Sequence, residues 1–160
     1  MTAAWRLCSS FVAALAVVAV LTSCERTRAT RATGIDEQVT SLGNIEVTAR
    51  LTEIPGEFPA NELYDYAYVL KYQVLDVHRG KVSGEEILVG QYNPREPRSQ
   101  VEDELSETVG GDLTSFRTGD VHRLALTAPL DEYWTGGIID KYFNQDGVRY
   151  WAVWTNRVDR

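Results

Sequence analysis

A two-residue hydrophobic period, recurring between turn-forming residues, limits what this chain can fold into more than any other feature. Ile45, Val47, Ala49 and Leu51 alternate with Glu46, Thr48 and Arg50. Successive side chains of a strand point to opposite faces, so this run suits a half-buried strand starting near Ile45. After a loop holding Pro55, Gly56, Pro59 and Asn61, residues 66–77 are dense in aromatic and β-branched side chains and read as a long strand. Gly80 and Gly84 punctuate the next stretch, and Glu86 to Tyr92 reads as the returning arm of a hairpin. Residues 93–115 hold Pro94, Pro97, Gly110, Gly111 and the acidic run Glu102-Asp103-Glu104, the makings of a long polar loop with room for a short helix. Val121 to Thr127 alternates again and stops before Pro129. Ile138 to Phe143 and Val148 to Val158 are expected to pair as a last hairpin through Asn144-Gln145-Asp146-Gly147, because Asp-Gly favours a tight turn.

Five or six strands with little helical periodicity predict an all-β fold, a small antiparallel barrel or sandwich with a long polar loop and little helix. Closure into a barrel would leave few strand edges open. The folded part would be one β domain, residues 45–160, long enough for its own core.

The start of the chain follows different rules. One positive charge, Arg6, precedes an uninterrupted apolar run from Phe11 to Leu21. That run is much shorter than the roughly 20 residues a helix needs to cross the hydrocarbon core, so it has the anatomy of a removable export signal. Directly after it, Leu21-Thr22-Ser23-Cys24 resembles the lipobox of bacterial lipoproteins at all four positions. The resemblance implies that residues 1–23 are a signal peptide and that the Cys24 thiol takes a diacylglycerol to become the mature N-terminus. The protein would then be a lipoprotein of the cell envelope, membrane-anchored through Cys24 and facing the periplasm or the exterior. Residues 24–44, mostly Arg, Thr, Ala, Ser and Gly, read as a flexible tether with a span near 25 Å.

Charge narrows the partners. The chain carries a formal net charge of −7, and loss of Arg6 with residues 1–23 lowers it by one more. An acidic domain is a poor bulk partner for nucleic acid or anionic polysaccharide. Cys8 would leave with the signal and Cys24 would be acylated, so the domain keeps no cysteine for a disulfide. Its stability must come from apolar burial, for which Trp134, Trp151, Trp154 and the tyrosines are the largest stock.

Motifs that would carry chemistry are missing. There is no Gly-x-x-x-x-Gly-Lys-Ser/Thr, Gly-x-Gly-x-x-Gly or Gly-x-Ser-x-Gly, so no nucleotide or other cofactor is expected. Residues 144–147 match three positions of a calcium loop, but counting forward puts Val153 where the bidentate glutamate belongs. The adjacent carboxylates Asp131 and Glu132, like Glu102 to Glu104, do not amount to a glycosidase pair, which needs two carboxyls across a cleft. His78 and His122 each have an aspartate two residues away, Asp76 and Asp120, on the same strand face. The four could converge as a metal or acid–base site, or serve as structural hydrogen-bonding groups. Tyr133, Trp134, Tyr142, Tyr150, Trp151 and Trp154 crowd the last third of the chain, either as core or as a sugar-stacking surface. Tyr150 and Trp154 are expected on one strand face and Trp151 on the other.

The stretch Tyr72-Gln73-Val74-Leu75-Asp76-Val77-His78-Arg79-Gly80, then Gly84 and Ile87-Leu88-Val89, resembles the second and third strands of netrin-like and related oligonucleotide/oligosaccharide-binding (OB) barrels. The resemblance implies an OB-like fold, although the disulfides of the netrin-like pattern are missing. The expected function is that of a non-enzymatic envelope accessory protein that binds a protein or glycan, in polysaccharide modification or assembly. Trp134, Trp151, Arg95 and Arg98 are its expected contact residues. The rival expectations are an envelope hydrolase or metal-dependent enzyme using His78, His122, Asp76 and Asp120, and an inhibitor or scaffold of an envelope enzyme.

Overall fold

A computed structural model describes residues 39, 41–58, 66–94, 109–111, 113 and 115–158. The expected signal, Cys24, most of the tether, Arg95, Arg98 and the acidic run at 102–104 lie outside the described residues.

Among the described residues, six strands and one short helix follow in the order β1 (Ile45–Glu53), β2 (Tyr66–Arg79), β3 (Glu86–Tyr92), β4 (Val121–Thr127), α1 (Leu130–Tyr133), β5 (Gly137–Ile139) and β6 (Arg149–Arg157). Hydrogen bonding runs β1-β4-β6-β3-β2-β5, and β1 also pairs with β2. Five strands therefore close into a ring, and β5 is attached outside it along β2. This is the all-β barrel that the alternation predicts, with the OB-like Greek-key order and almost no helix among the described residues. Most joins are antiparallel, but β3 and β6 pair in parallel. A parallel join needs a long crossover, and the 56 residues from Asn93 to Val148 supply one.

Two cores explain the pattern of β2. Its even-numbered residues Tyr66, Tyr68, Leu70 and Tyr72 point into the barrel with Val47, Ala49 and Leu51 of β1 and Leu124 and Leu126 of β4. Its odd-numbered Ala67 and Val69 are buried as well, beneath a second cluster on the outside of the wall made with Leu88, Tyr92, Val109, Leu130, Trp134, Tyr142 and Trp151. A strand covered on both faces reads as a continuous apolar run, and this half of β2 does. Past Tyr72 the cover ends, leaving Leu75 and Val77 exposed.

The second cluster is built by the excursion between β4 and β6. Trp134 stacks on Trp151 with centroids 4.9 Å apart and meets Tyr92 edge-on at 5.1 Å. Its indole N–H donates to the Gly137 carbonyl at 2.9 Å, which satisfies the one polar atom it buries. Close docking of α1 depends on Gly90, where a Cβ would stand 2.9 Å from Leu130 Cδ1.

Two expectations fail. The hairpin between Ile138–Phe143 and β6 does not form: β5 has only three residues and pairs in parallel with β2, and residues 141–144 turn away. Side chains override the Asp-Gly signal here. Asp140 Oδ1 accepts the Tyr142 N–H at 2.7 Å, and its other oxygen holds Arg149 Nε at 2.9 Å. Arg149 also donates to the carbonyls of Tyr142 and Gly147, fixing the turns that a hairpin would straighten. Second, Tyr150 and Trp154 do not share a face. A bulge at the Ala125/Leu126 step of the β4–β6 ladder shifts the register, so Trp154 stands opposite Ala125 on the outer side while Tyr150 stays in the barrel. One extra residue reverses every side chain after it.

Candidate functional site

Among the described residues, two polar arrays and a groove are places where this fold could do chemistry or bind. The first array lies inside the barrel. Thr155 Oγ1 donates to Gln91 Oε1 at 3.0 Å, Gln91 Nε2 donates to the Tyr72 hydroxyl at 3.3 Å, and that hydroxyl is 3.1 Å from His122 Nδ1. Because the Tyr72 oxygen already accepts from Gln91, its proton is directed at Nδ1, which leaves the imidazole proton on Nε2. That Nε2 is buried without a hydrogen-bond partner among the described residues, and the edge of the ring meets Phe116 at 5.6 Å. Burial drives the His122 pKa down to about 4, against the pull of Asp120 and with a smaller push from Arg157. The ring is therefore neutral at pH 7 and braces the interior.

The second array runs across the outer wall. Arg123 binds Glu46 Oε1 through Nε at 2.8 Å and Nη2 at 2.6 Å, and its Nη1 donates to Thr48 Oγ1 at 3.4 Å. Thr48 Oγ1 is 2.8 Å from His78 Nε2, and His78 Nδ1 is 3.5 Å from Asp76 Oδ2. Hydroxyl, imidazole and carboxylate thus stand in the order of a nucleophile, a base and its orienting acid. The spacing does not activate the hydroxyl: Asp76 is 66% exposed and too far for a close bond, and Arg123 already donates to the oxygen. The array ties β1 to both of its neighbours.

The four residues expected to converge do not. His122 faces the interior and His78 the outside, with the barrel wall between them. Asp76 belongs to the outer array, while Asp120 pairs with Arg157. No cluster of three or more metal-ligating side chains occurs among the described residues.

Trp134 and Trp151, expected to contact a partner, are 3% and 2% exposed. They fill the second core because β2, β3 and β6 present an apolar outer face that Leu130, Trp134 and Tyr142 of the excursion cover. Among the described residues the most exposed large ring belongs to Phe143, at 82%, with Tyr133 at 50%. It borders a groove of about 500 Å3 built wholly from the excursion and the first residue of β6, with Leu130, Ile138, Val148 and Phe143 as its apolar lining. Asp131, Gln145 and Asp146 add polar groups, and the Asp140–Arg149 pair stands beneath the turns. Ile138 and Val148 are each 42% exposed, so an apolar surface continues from the groove to solvent.

Sequence reasoning placed Phe143 inside a strand and so missed it. Its signal was the run of turn-forming residues that follows, Asn144 to Gly147, where an aromatic side chain has no ladder to hold it against a core. Compared with known protein families, with characterised proteins and with solved structures, the chain matches none at a significant level.

Proposed function

We propose that this chain is a lipid-anchored accessory protein of the cell envelope whose barrel holds a binding groove toward a protein or glycan partner. In this reading residues 1–23 direct export, Cys24 is acylated, and the tether expected over residues 24–44 ends docked on the barrel, where Val39 is buried and the Asn44 N–H donates to the Leu126 carbonyl at 3.1 Å. Polysaccharide modification or assembly is the setting in which such a partner would be met.

The observation that carries the binding half is the exposure of Phe143 at a groove of mixed apolar and polar lining whose turns are fixed by Arg149. Phe143 does not stand alone, since Ile138 and Val148 are exposed beside it, and an apolar patch edged by polar groups along a groove is an ordinary form of binding site. Position on the barrel agrees by analogy of fold: OB-type barrels use the loop between their fourth and fifth barrel strands as part of their binding surface, and here that loop is the excursion from β4 to β6. The anchoring half rests on Leu21-Thr22-Ser23-Cys24.

Metabolic labelling with a fatty-acid probe tests the anchor. The intact chain should incorporate label and fractionate with membranes, and Cys24→Ala should lose both. Absence of label, with Cys24→Ala equally membrane-bound, removes the lipoprotein reading.

A further inference from the structure

Reading the groove as a partner site leaves its occupant open, and three features narrow it. The lining combines the aliphatic Leu130, Ile138 and Val148 with the carboxylates of Asp131, Asp140 and Asp146. Asp140 is neutralised by Arg149, whereas Asp131 and Asp146 have no ion-pair or hydrogen-bond partner among the described residues. In a chain of net charge −7, two unpaired lining carboxylates attract cations and repel anions.

Next, Ile138 belongs to β5, the last strand of the sheet, which has β2 on one side and no strand on the other among the described residues. Apart from the Gly137 carbonyl, which accepts the Trp134 indole N–H, such an edge offers a regular backbone repeat that an extended polypeptide can continue as a ladder. Lastly, Phe143 presents nearly its whole ring, which packs against an aliphatic side chain and also attracts a cation over its face.

We infer that the groove receives an extended segment of a partner protein in which a lysine or arginine lies two positions from an aliphatic residue. Alternate residues of an added strand share a face, so that spacing turns both side chains to the groove. The aliphatic side chain rests on Phe143, Ile138 and Val148, the cation sits against Asp131 and Asp146, and the backbone runs beside β5. The inference rests on the groove being a partner site and names which class of partner it takes.

The test is a titration of the full-length chain, purified in detergent, with a labelled heptapeptide of the order valine, serine, lysine, serine, valine, serine, lysine. A counterpart with glutamate for lysine and a neutral chitin oligosaccharide are titrated beside it. The lysine peptide should bind saturably and the glutamate peptide about tenfold or more weaker. Asp131→Asn with Asp146→Asn should weaken the lysine peptide about fivefold, and Phe143→Ala about thirtyfold. Phe143 is so exposed that its loss leaves the fold intact. Equal affinity for the two peptides, or indifference to Phe143→Ala, overturns the inference. If the oligosaccharide binds in a Phe143-dependent way and the peptides do not, the peptide occupant is overturned and the groove keeps its role. Binding of neither probe also overturns the occupant, and the groove itself is then judged by crosslinking from position 143 in intact cells.

Discussion

The barrel wall and the excursion from β4 to β6 are both ordered, by different means. The wall is held by backbone ladders, with alternating side chains filling one interior. The excursion has one four-residue helix and three residues of strand, and is held by side chains: Trp134 wedged on Trp151, Tyr142 buried beside them, and Arg149 gathering Asp140 and two carbonyls. A ladder leaves few polar groups free and little concave surface. A segment pinned by a few anchors can leave the rest of its surface open, and the groove lies there.

Substitutions can break this contrast, and the largest effect is expected at the shared anchor. Trp151 belongs to β6 and to the second core, so Trp151→Ala should cost about 4 kcal/mol in denaturant unfolding and loosen both regions. A loss under 1 kcal/mol would mean that the excursion is not packed on the wall as described.

Acid should act on the wall alone. His122 is neutral and buried in the folded state, with a pKa of about 4 against about 6.5 when unfolded. The unfolded chain therefore takes up the proton first as pH falls. His122 contributes full stability above pH 6.5, and about 3 kcal/mol of it is lost between pH 6.5 and 4. Unfolding curves across that window should be steeper for the native chain than for His122→Leu, and parallel curves would contradict the buried neutral ring.

Arg149→Ala should loosen the excursion and spare the wall. Losing its charge-assisted bonds should cost about 2 kcal/mol, read as faster amide exchange over residues 140–148 with little change in β1, β2 and β4. Uniform acceleration would show that the two regions open together. Smallest of all is Phe143→Ser, expected within about 0.5 kcal/mol of the native stability because the ring buries so little. A larger loss would make Phe143 a structural residue.

The same contrast decides what could be read from the sequence. Ile45 to Leu51 and Val121 to Thr127 alternate because one face meets the interior, and their strands lie where the period places them. The period does not register a bulge, so the β6 step that turns Trp154 away from Tyr150 was invisible. Nor does it register side-chain capture, and Asp140 with Arg149 defeated an otherwise good hairpin signal. The tryptophans were legible as either core or surface, and the period could not place them in a second core, because the face they help to build joins β3 and β6, far apart in the chain. Phe143 was hidden by the strand read through it, although the turn-forming Asn144 to Gly147 beside it marked a place with no ladder to hold the ring.

Position-specific photocrosslinking in intact cells tests most directly the claim that the excursion, and not the wall, meets the partner. A photoreactive residue replacing Phe143 should form an adduct, and one replacing Leu75, also exposed but on the uncovered stretch of β2, should not. Adducts from position 75 with none from position 143 would contradict it.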